Sequence, residues 1–397
     1  MGGYFQAYLR NASIVLDHYR HQEPFSVFLK QFFRLEKKYG SRDRKVITDL
    51  CYGYLRLGHA IDKISLQDAI VIGYYLTHNT DNGFLASVKP EWSENILETL
   101  SNKLKFIKRL YPDFQPNSIF PGISDLSPSM DVEKWTLKHL SKPGFFLRIR
   151  PGNTDKVRAV LDEKGVVYDL LANDAIRIHS NLDLSEILMI DKDCLVQDIA
   201  SQKTSELFSN ISIPIQSFWD ACAGSGGKSI MVHDLFPHAK VFVSDIRDEI
   251  LEELKRRFRI AGVKVEKTFC NDLTHPMAEQ VIKSNLPSQG VDLIIADVPC
   301  SGSGTWGRTP EWLTSFEIPS IESYSRIQKI LLTQLTGQLR KGNFLLYITC
   351  SVYEAENEKI VSYATENLPV ELIKAEHLSG EEFGGDHLFA ALFISAL

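Results

Sequence analysis

Two apolar runs that each end at a cysteine constrain this chain more than any other feature. The first, VDLIIADVPC, spans residues 291–300, and the second, LLYITC, spans residues 345–350. Each has the length of a buried parallel strand, and parallel strands have helices on both faces of their sheet. Ligands of such sheets bind beyond the carboxyl ends of the strands. We therefore predict an α/β fold in which Cys300 and Cys350 face one pocket.

The polar residues around the two cysteines favour chemistry over packing. A cysteine can act as a nucleophile once its thiol is deprotonated, and it needs help because a free thiol has a pKa of about 8.5. Either cysteine alone is equally compatible with a small buried apolar side chain. The contexts Asp-Val-Pro-Cys and Thr-Cys-Ser, each directly after an apolar strand, make Cys300 and Cys350 candidate catalytic residues.

A third predicted strand ends at Asp220 and leads into the glycine-rich turn ACAGSGGKS at residues 221–229. Glycines at a strand-to-helix turn let the backbone approach a ligand closely. The turn is not a Walker A loop, because Cys222 stands where that loop needs glycine, and it lacks the third glycine of the dinucleotide motif. Asp245 ends the next strand, where a carboxylate suits the two hydroxyls of a ribose. With Asp272 after a further strand, this set is typical of dinucleotide and S-adenosylmethionine binders.

Charge and cysteine spacing exclude several classes of protein. The 397-residue chain has a formal net charge of -6, which argues against a protein that coats nucleic acid through bulk charge. Residues 1–60 carry +5, so a polyanion would meet this region first. The six cysteines show no C-x-x-C pair, so we predict neither a metal site nor a disulfide framework. Because there is no membrane-length apolar run and no signal-peptide core, we expect a cytoplasmic protein without a membrane partner.

Hydrophobic periodicity predicts three domains. Residues 1–126 show helical spacing and form an all-α domain, and residues 142–205 form a small α/β domain. Residues 206–397 alternate strands with helices, which indicates a doubly wound sheet with an antiparallel tail. Residues 112–128 are rich in proline, glycine and serine and are predicted to be a linker.

Three local features carry further expectations. Ser41 is predicted to cap the N-terminus of a helix. In the small α/β domain, Arg148, Arg150 and Arg177 lie on the predicted non-core side of the sheet, where they are equally compatible with phosphate binding and with a solvated face. Residues 301–312 are rich in glycine and serine, as in loops that close over a substrate.

In combination, the motifs resemble a known family. The similarity to the Sun (Fmu/RsmB-type) family of RNA cytosine-C5 methyltransferases lies, in order, in DACAGSGGKS (220–229), VSDIR (243–247), Asn271-Asp272, DLIIADVPCSGSGTWGRTPEW (292–312) and YITCSVYEAENE (347–358). SRDRKVITDLCYGYLR (41–56) is similar to the NusB-like helical domain of the bacterial enzymes that modify small-subunit ribosomal RNA. The resemblance implies a Rossmann-like class I methyltransferase domain with a seven-stranded doubly wound sheet, preceded by an all-α NusB-like RNA-binding domain and a small α/β domain.

The resemblance also implies a reaction, the formation of 5-methylcytosine in RNA. Cys350 would be the nucleophile that adds to C6 of cytosine, and Cys300 would assist product release. Asp297 would hydrogen-bond the N3/N4 edge of the ring, and Lys228 would lower the pKa of the nucleophilic thiol. Small-subunit ribosomal RNA is the expected substrate and a monomer the expected state.

The cofactor implied by the resemblance is S-adenosylmethionine. Its implied binding residues are Ala221, Cys222, Ala223, Gly224, Gly226, Gly227, Lys228, Asp245, Arg247, Asp272 and Asp297. Among them, Asp245 would bind the ribose and Asp272 the adenine. The family's loop is Ala-Pro-Gly-Gly, whereas residues 224–227 are Gly-Ser-Gly-Gly here. The missing proline at Ser225 predicts a looser loop and an altered cofactor affinity.

Two alternatives stay open at this point, a transfer RNA substrate and a non-catalytic RNA-binding factor in ribosome assembly that keeps the methyltransferase fold. The pair Cys300 and Cys350 argues against the second, since a scaffold needs no such thiols. An amino-group methyltransferase would carry Asp/Asn-Pro-Pro-Tyr/Phe at residues 297–300. A DNA cytosine-C5 methyltransferase would use the Pro-Cys cysteine as its nucleophile and would not need Thr-Cys.

Overall fold

The computed structural model describes residues 2–179 and 183–396, which fold into helices and two β-sheets. The helices are α1 Gly2–His18, α2 Phe25–Leu35, α3 Ser41–Leu55, α4 Leu66–Thr77, α5 Phe84–Val88, α6 Pro90–Ser93, α7 Leu100–Leu110, α8 Val132–His139, α9 Thr154–Glu163, α10 Ile199–Lys203, α11 Gly227–Leu235, α12 Asp248–Ala261, α13 Ala278–Asn285, α14 Pro310–Ser315, α15 Ser320–Thr336 and α16 Glu358–Asn367. The strands are β1 Phe145–Ile149, β2 Tyr168–Leu170, β3 Ala175–Ile178, β4 Cys194–Val196, β5 Ser217–Asp220, β6 Lys240–Asp245, β7 Val265–Cys270, β8 Leu293–Asp297, β9 Phe344–Thr349, β10 Val370–Ser379 and β11 His387–Ser395. Among the described residues, no helix is long and apolar enough to cross a membrane.

The chain forms two compact units. The helical unit contains residues 2–142 and 305–318, and the sheet unit contains residues 143–304 and 319–396 apart from 180–182. The predicted division at 1–126, 142–205 and 206–397 stays a prediction. Its outer limits, residues 1 and 397, and residues 180–182 within it lie outside the described residues.

In the helical unit, α3 and α4 pack backbone to backbone. A Cβ atom on Gly53 of α3 would lie 2.9 Å from the carbonyl carbon of Gly73 in α4, so glycine is required for this approach. The predicted cap was wrong by one residue: α3 starts at Ser41, and Gly40 is the N-cap residue. The Gly40 N–H donates to Asp43 Oδ2 at 2.9 Å, which satisfies a free amide at the helix start.

The predicted linker at residues 112–128 is packed into the helical unit instead. Phe114, Ile119 and Phe120 are all buried, because this proline-rich segment supplies apolar side chains to the core. Its composition predicted irregular backbone but gave no sign of this burial.

Residues 305–318 belong to the helical unit, although they follow the first cysteine motif directly. Arg56 of α3 donates to the carbonyl of Gly307 at 2.6 Å. Glu311 is 1% exposed and accepts the N–H of Phe25 at 3.0 Å. Burial raises the pKa of the Glu311 carboxyl. The second half of the predicted closing loop is therefore anchored among helices and is not a free lid.

The small sheet of the sheet unit is antiparallel, with strand order β2-β3-β1-β4. Two of the three arginines considered for phosphate binding, Arg148 and Arg150, are already paired, which contradicts both interpretations for these two residues. Arg148 and Arg150 both bind the buried carboxylate of Asp234, at 2.8 Å and 2.7 Å. Arg177 is partly buried opposite Asp169. The two paired arginines therefore join the small sheet to α11.

The large sheet has the strand order β10-β11-β9-β8-β5-β6-β7. The five strands from β9 to β7 are parallel, and β11 pairs antiparallel with β9 and with β10, as predicted for the tail. The chain runs from β5 toward β7 on one side and from β8 toward β9 on the other. The topological switch point, where ligands bind in such sheets, therefore lies between β5 and β8.

Alternate residues of the large sheet enter two separate cores, as the uninterrupted apolar strands predicted. On one face, Phe218, Val243 and Ile295 pack with the apolar side chains of α11 and α12. On the other, Trp219 and Ile294 pack with those of α13, α15 and α16. The seven-stranded, doubly wound, mostly parallel sheet is thus confirmed, whereas the NusB-like character of the helical unit stays a prediction.

Candidate active site

The glycine turn after β5 is shaped by two left-handed residues, Gly224 with φ +52° and Gly226 with φ +83°. A Cβ atom on Gly226 would lie 2.5 Å from the ring of Phe258, so glycine is required there by both conformation and space. The Gly224 N–H donates to Asp245 Oδ2 at 2.8 Å. The turn ends at Gly227, where α11 begins and presents its N-terminal amides toward the carboxyl edge of the sheet.

Asp245 stands at the end of β6 and is 4% exposed. Its Oδ1 accepts the backbone N–H of Arg247 and the Nε–H of the same residue, both at 3.0 Å. Burial alone would raise the pKa of Asp245, but the hydrogen bonds from Arg247 and Gly224 outweigh it and lower the pKa. The structure therefore keeps an ionised carboxylate where the sequence predicted one.

After β7, the structure separates the roles of two neighbours. Asp272 Oδ1 accepts the N–H and the hydroxyl of Thr274, at 2.9 Å and 2.6 Å, and these bonds lower the pKa of Asp272. Asn271 is 6% exposed, and its Nδ2 has no hydrogen-bond partner among the described residues. A buried donor without a partner needs an explanation, and contact with a ligand is one. Asn271, which the sequence indicated only as part of the Asn271-Asp272 motif, is thus a candidate binding residue.

The two cysteine motifs end side by side, since β8 and β9 are adjacent parallel strands. Cys300 Sγ lies 3.3 Å from Cys350 Sγ and also accepts the N–H of Cys350 at 3.3 Å. Both are free thiols. The hydrogen bond to Cys350, burial and the nearby Glu356 carboxyl raise the pKa of Cys300 well above its ordinary value. The geometry thus holds Cys300 as a neutral thiol against Cys350.

Lys228, the second residue of α11, reaches the end of β8. Its Nζ donates to Asp297 Oδ2 at 2.6 Å, and the side chains of Lys228 and Asp297 are 14% and 34% exposed. Burial would lower the pKa of Lys228, but the charge of the Asp297 carboxylate and its hydrogen bond with Lys228 outweigh burial and raise the pKa. A positive charge is therefore held at the edge that carries both thiols.

A buried polar network behind the thiols was not predicted from the sequence. Glu356 accepts the N–H of Ser301, the hydroxyl of Ser351 and the amide of Gln328, at 2.9 Å, 2.5 Å and 3.1 Å. Ser301 follows Cys300 and Ser351 follows Cys350, so one carboxyl holds both cysteine segments. From the sequence, Glu356 was named only as part of the motif at residues 347–358. Its polar character directly after a buried strand was the available signal.

Asp220 gives a prediction about stability. It is 1% exposed, and burial raises the pKa of Asp220 to about 7, opposed by the Ser229 hydroxyl and assisted by Asp297. Its unfolded value is 3.8, so the unfolded chain binds fewer protons than the native one between these two values. The native state therefore loses stability as pH rises from about 4 to about 7, by on the order of a few kcal/mol.

Replacing Asp220 by asparagine keeps the shape and removes this titration. Urea unfolding of the ligand-free protein at pH 5 and pH 8 should show a smaller loss of stability at pH 8 for D220N than for the wild type. The matched control is E266Q, at an exposed carboxylate of β7. If the free energy of unfolding has the same pH dependence in D220N and the wild type, the loss of stability is not caused by Asp220.

Comparison with known proteins identifies the family. Residues 214–388 match the family model described as 16S rRNA methyltransferase RsmB/F. A probable ribosomal RNA small subunit methyltransferase B of Coxiella burnetii is 31% identical over 366 residues, which are 81% of this chain and 82% of the relative. The chain belongs to the RsmB/F (Sun) family of methyltransferases. The RsmB/F-family chain is also 24% identical to ribosomal RNA small subunit methyltransferase B of Proteus mirabilis, with 90% of this chain and 92% of the relative covered.

Three further comparisons concern one curated relative and two solved structures. Human tRNA (cytosine(72)-C(5))-methyltransferase NSUN6 is 28% identical, but over only 39% of this chain and 34% of that protein. The crystal structure of PH0851 has a TM-score of 0.70 at 18% identity and covers 98% of this chain and 97% of that one. NSun6 from Pyrococcus horikoshii, solved with SFG, has a TM-score of 0.56 at 13% identity, with 74% and 97% covered. At these sequence identities, the two solved structures show that this chain shares their fold.

The cofactor of this RsmB/F-family chain is S-adenosylmethionine. The residues at the carboxyl edge fit it in three respects. The left-handed Gly224 leaves open space, since the nearest atom to a Cβ there would be Nη2 of Arg247 at 3.9 Å. Asp245 is ionised, and Asn271 has a buried amide donor without a partner among the described residues. Over residues 2–179 and 183–396, no group of three or more His, Cys, Asp or Glu side chains could hold a metal ion.

Proposed function

We propose that this chain methylates C5 of cytosine in small-subunit ribosomal RNA, with Cys350 as the nucleophile. The observation that carries the proposal is the pair of thiols, 3.3 Å apart, at the ends of two adjacent strands. The Lys228–Asp297 ion pair belongs to the same strand edge. Cytosine C5 is a weak nucleophile, so methyl transfer to it calls for temporary covalent activation, and a thiolate is well suited to that.

The proposed reaction proceeds by addition and elimination. The Cys350 thiolate forms a bond to C6 of the base, and the electron pair of the C5–C6 bond becomes available at C5. S-adenosylmethionine would supply an electrophilic methyl group, and C5 would form a bond to this group as the bond between the methyl group and the cofactor's sulfur breaks. The C5 proton then leaves as the C6–sulfur bond breaks, which restores the aromatic base and the free cysteine.

Cys300 is suited to the second half of this sequence. Its pKa is raised, so it holds a proton 3.3 Å from the Cys350 sulfur. We infer that Cys300 gives this proton to the departing sulfur and takes up the C5 proton. One proton then passes from C5 to Cys350, and Cys300 is unchanged.

Lys228 and Asp297 would hold the base and activate the nucleophile. Lys228 binds Oδ2 of Asp297, so the Oδ1 atom can accept a hydrogen bond from the N4 amino group of cytosine. The Lys228 cation would also attract the negative charge on the attacking Cys350 sulfur.

The cofactor assignments follow the strand edge. The backbone of residues 221–227 would enclose the methionine part, Asp245 would bind the ribose hydroxyls, and Arg247 would hold Asp245 in place. Asp272 would bind the adenine, and Asn271 would donate to the adenine beside it. Cys222, Lys228 and Asp297 would complete the wall of the pocket.

The share of this chain that aligns with each relative favours ribosomal RNA over transfer RNA as the substrate. The relatives named for the small ribosomal subunit align with 81% and 90% of this chain, whereas the transfer RNA enzyme aligns with 39%. A target base must be unstacked to reach thiols at a strand end, which fits looped or exposed RNA. The helical unit, with its basic first 60 residues, would then be the NusB-like RNA-binding part of a cytoplasmic monomer.

The test is mass spectrometry of nucleosides from ribosomal and transfer RNA of a strain lacking the gene. We expect one 5-methylcytidine to disappear from the small-subunit RNA and to return when the wild-type gene is restored. A C350A gene serves as the matched control and should not restore it. Loss from transfer RNA alone would overturn the substrate, and persistence of every 5-methylcytidine would overturn the reaction.

A further inference from the structure

The cofactor turn is braced by an arginine on the neighbouring helix. Arg257 of α12 donates through Nη1 to the carbonyl oxygen of Ser225 at 2.9 Å and to its hydroxyl at 2.8 Å. Ser225 lies between Gly224 and Gly226, both left-handed. Glycine has little intrinsic preference for one conformation, so the order of this turn depends on contacts with residues outside it, and the contact at Ser225 adds to the Gly224–Asp245 hydrogen bond.

Arg257 is itself held in place. Its Nε and Nη2 both donate to Oδ1 of Asp191, at 2.9 Å and 2.7 Å, and the side chains of Arg257 and Asp191 are 13% and 6% exposed. Asp191 lies in the turn before β4 of the small sheet. The Asp191 N–H donates to the carbonyl of Cys194 at 2.7 Å, and Arg150 donates to the Asp191 carbonyl at 3.2 Å.

The guanidinium therefore uses one edge for Asp191 and the other for Ser225. The planar guanidinium group has N–H donors on both edges, so it can contact both residues at once. Its hydrogen bonds to Asp191 are charge-assisted. A part-buried arginine loses less of this interaction to solvent than an exposed one.

We propose that Asp191 and Arg257 are positioning residues that order the S-adenosylmethionine turn before the cofactor binds. The inference rests on the proposed assignment of residues 221–227 to the cofactor. Ordering the turn in advance removes part of the entropy cost of binding. The contacts that join Asp191, Arg257 and Ser225, here called the brace, replace the local rigidity that a proline at residue 225 would provide. They also give the small sheet a role in cofactor affinity.

The first test is the variant R257Q in the full-length protein. We expect its Kd for S-adenosylmethionine, measured by calorimetry, to rise about ten-fold, with KM for RNA within two-fold of the wild type. The matched control is R256Q, at the adjacent exposed arginine that pairs with Glu253. Its Kd should not change. Equal Kd values for R257Q and the wild type would overturn the inference.

Hydrogen exchange of the ligand-free protein gives a readout that does not depend on the cofactor. Amides of residues 223–227 should exchange faster in R257Q and D191N than in the wild type, while those of β5 should not change. If the wild type does not bind S-adenosylmethionine, the cofactor assignment fails, and the exchange data still decide whether the brace orders the turn. Unchanged exchange of the turn would overturn the inference.

A double-mutant cycle tests whether Asp191 acts through Arg257. The D191N/R257Q protein should bind the cofactor as weakly as R257Q alone. If the losses of affinity in D191N and R257Q instead add in the double variant, Asp191 does not act through Arg257. R257K is the second variant should R257Q fail to fold. It keeps the charge beside Asp191 but has no fork for Ser225, so its Kd should also rise.

Discussion

Replacing Cys350 by alanine is expected to lower methyl transfer to RNA by about three orders of magnitude or more. Without a sulfur at this position no bond can form to C6 of the base, and C5 stays too weak a nucleophile. Transfer of labelled methyl groups from S-adenosylmethionine to 16S ribosomal RNA measures the effect. The Kd for S-adenosylmethionine should change little, because the loss lies in chemistry and not in cofactor binding.

The matched control for this prediction is C51A. Cys51 is a buried thiol of α3 in the helical unit, with Sγ 3.8 Å from the carbonyl of Ala12. Its loss should leave the rate within a few-fold of the wild type. Retention of methyl transfer in C350A would contradict the assignment of the nucleophile, and loss of transfer in C300A without any adduct would move that assignment to Cys300.

Replacing Cys300 by alanine is expected to trap the reaction after attack. Cys350 remains and can add to C6, but the proton donor 3.3 Å from its sulfur is gone, so elimination is slowed. A covalent protein–RNA complex should accumulate to a large fraction of the enzyme, while turnover falls by about 100-fold or more. Denaturing gel electrophoresis with labelled RNA detects the complex.

Two controls make the trapping experiment specific. C300A/C350A should form no complex, since the bond to RNA is made by Cys350. C300A should also form little complex on RNA in which uridine replaces the target cytidine. A covalent complex formed by the single variant C350A, or normal turnover of the single variant C300A, would contradict the separate roles proposed for the two thiols.

Local sequence determined most of the large sheet. Uninterrupted apolar runs predicted the parallel strands, because a strand buried on both faces excludes polar residues along its whole length. The predicted strand ends at Asp220 and Asp245 agree with the ends of β5 and β6. Once two such strands are adjacent, their carboxyl ends share an edge, so the proximity of Cys300 and Cys350 also followed from the sequence.

Other features depended on partners distant in the chain, which periodicity does not reveal. Arg148 and Arg150 were expected on an open face, yet both bind Asp234. The segment after Cys300 was expected to close over a substrate, yet residues 305–318 are anchored in the helical unit. In each case a charged or polar segment satisfies its hydrogen bonds with residues that no local pattern links to it.

The sequence by itself determined the sheet, the turn and the identity of the two thiols. These are encoded by residues close together in the chain, whose side chains must match the period of a strand or the conformation of a turn. Only the tertiary structure decided which groups hold these elements in place. Glu356 joins the two cysteine segments and Arg257 donates to Ser225 in the glycine turn, because buried polar groups must find partners wherever the fold brings them.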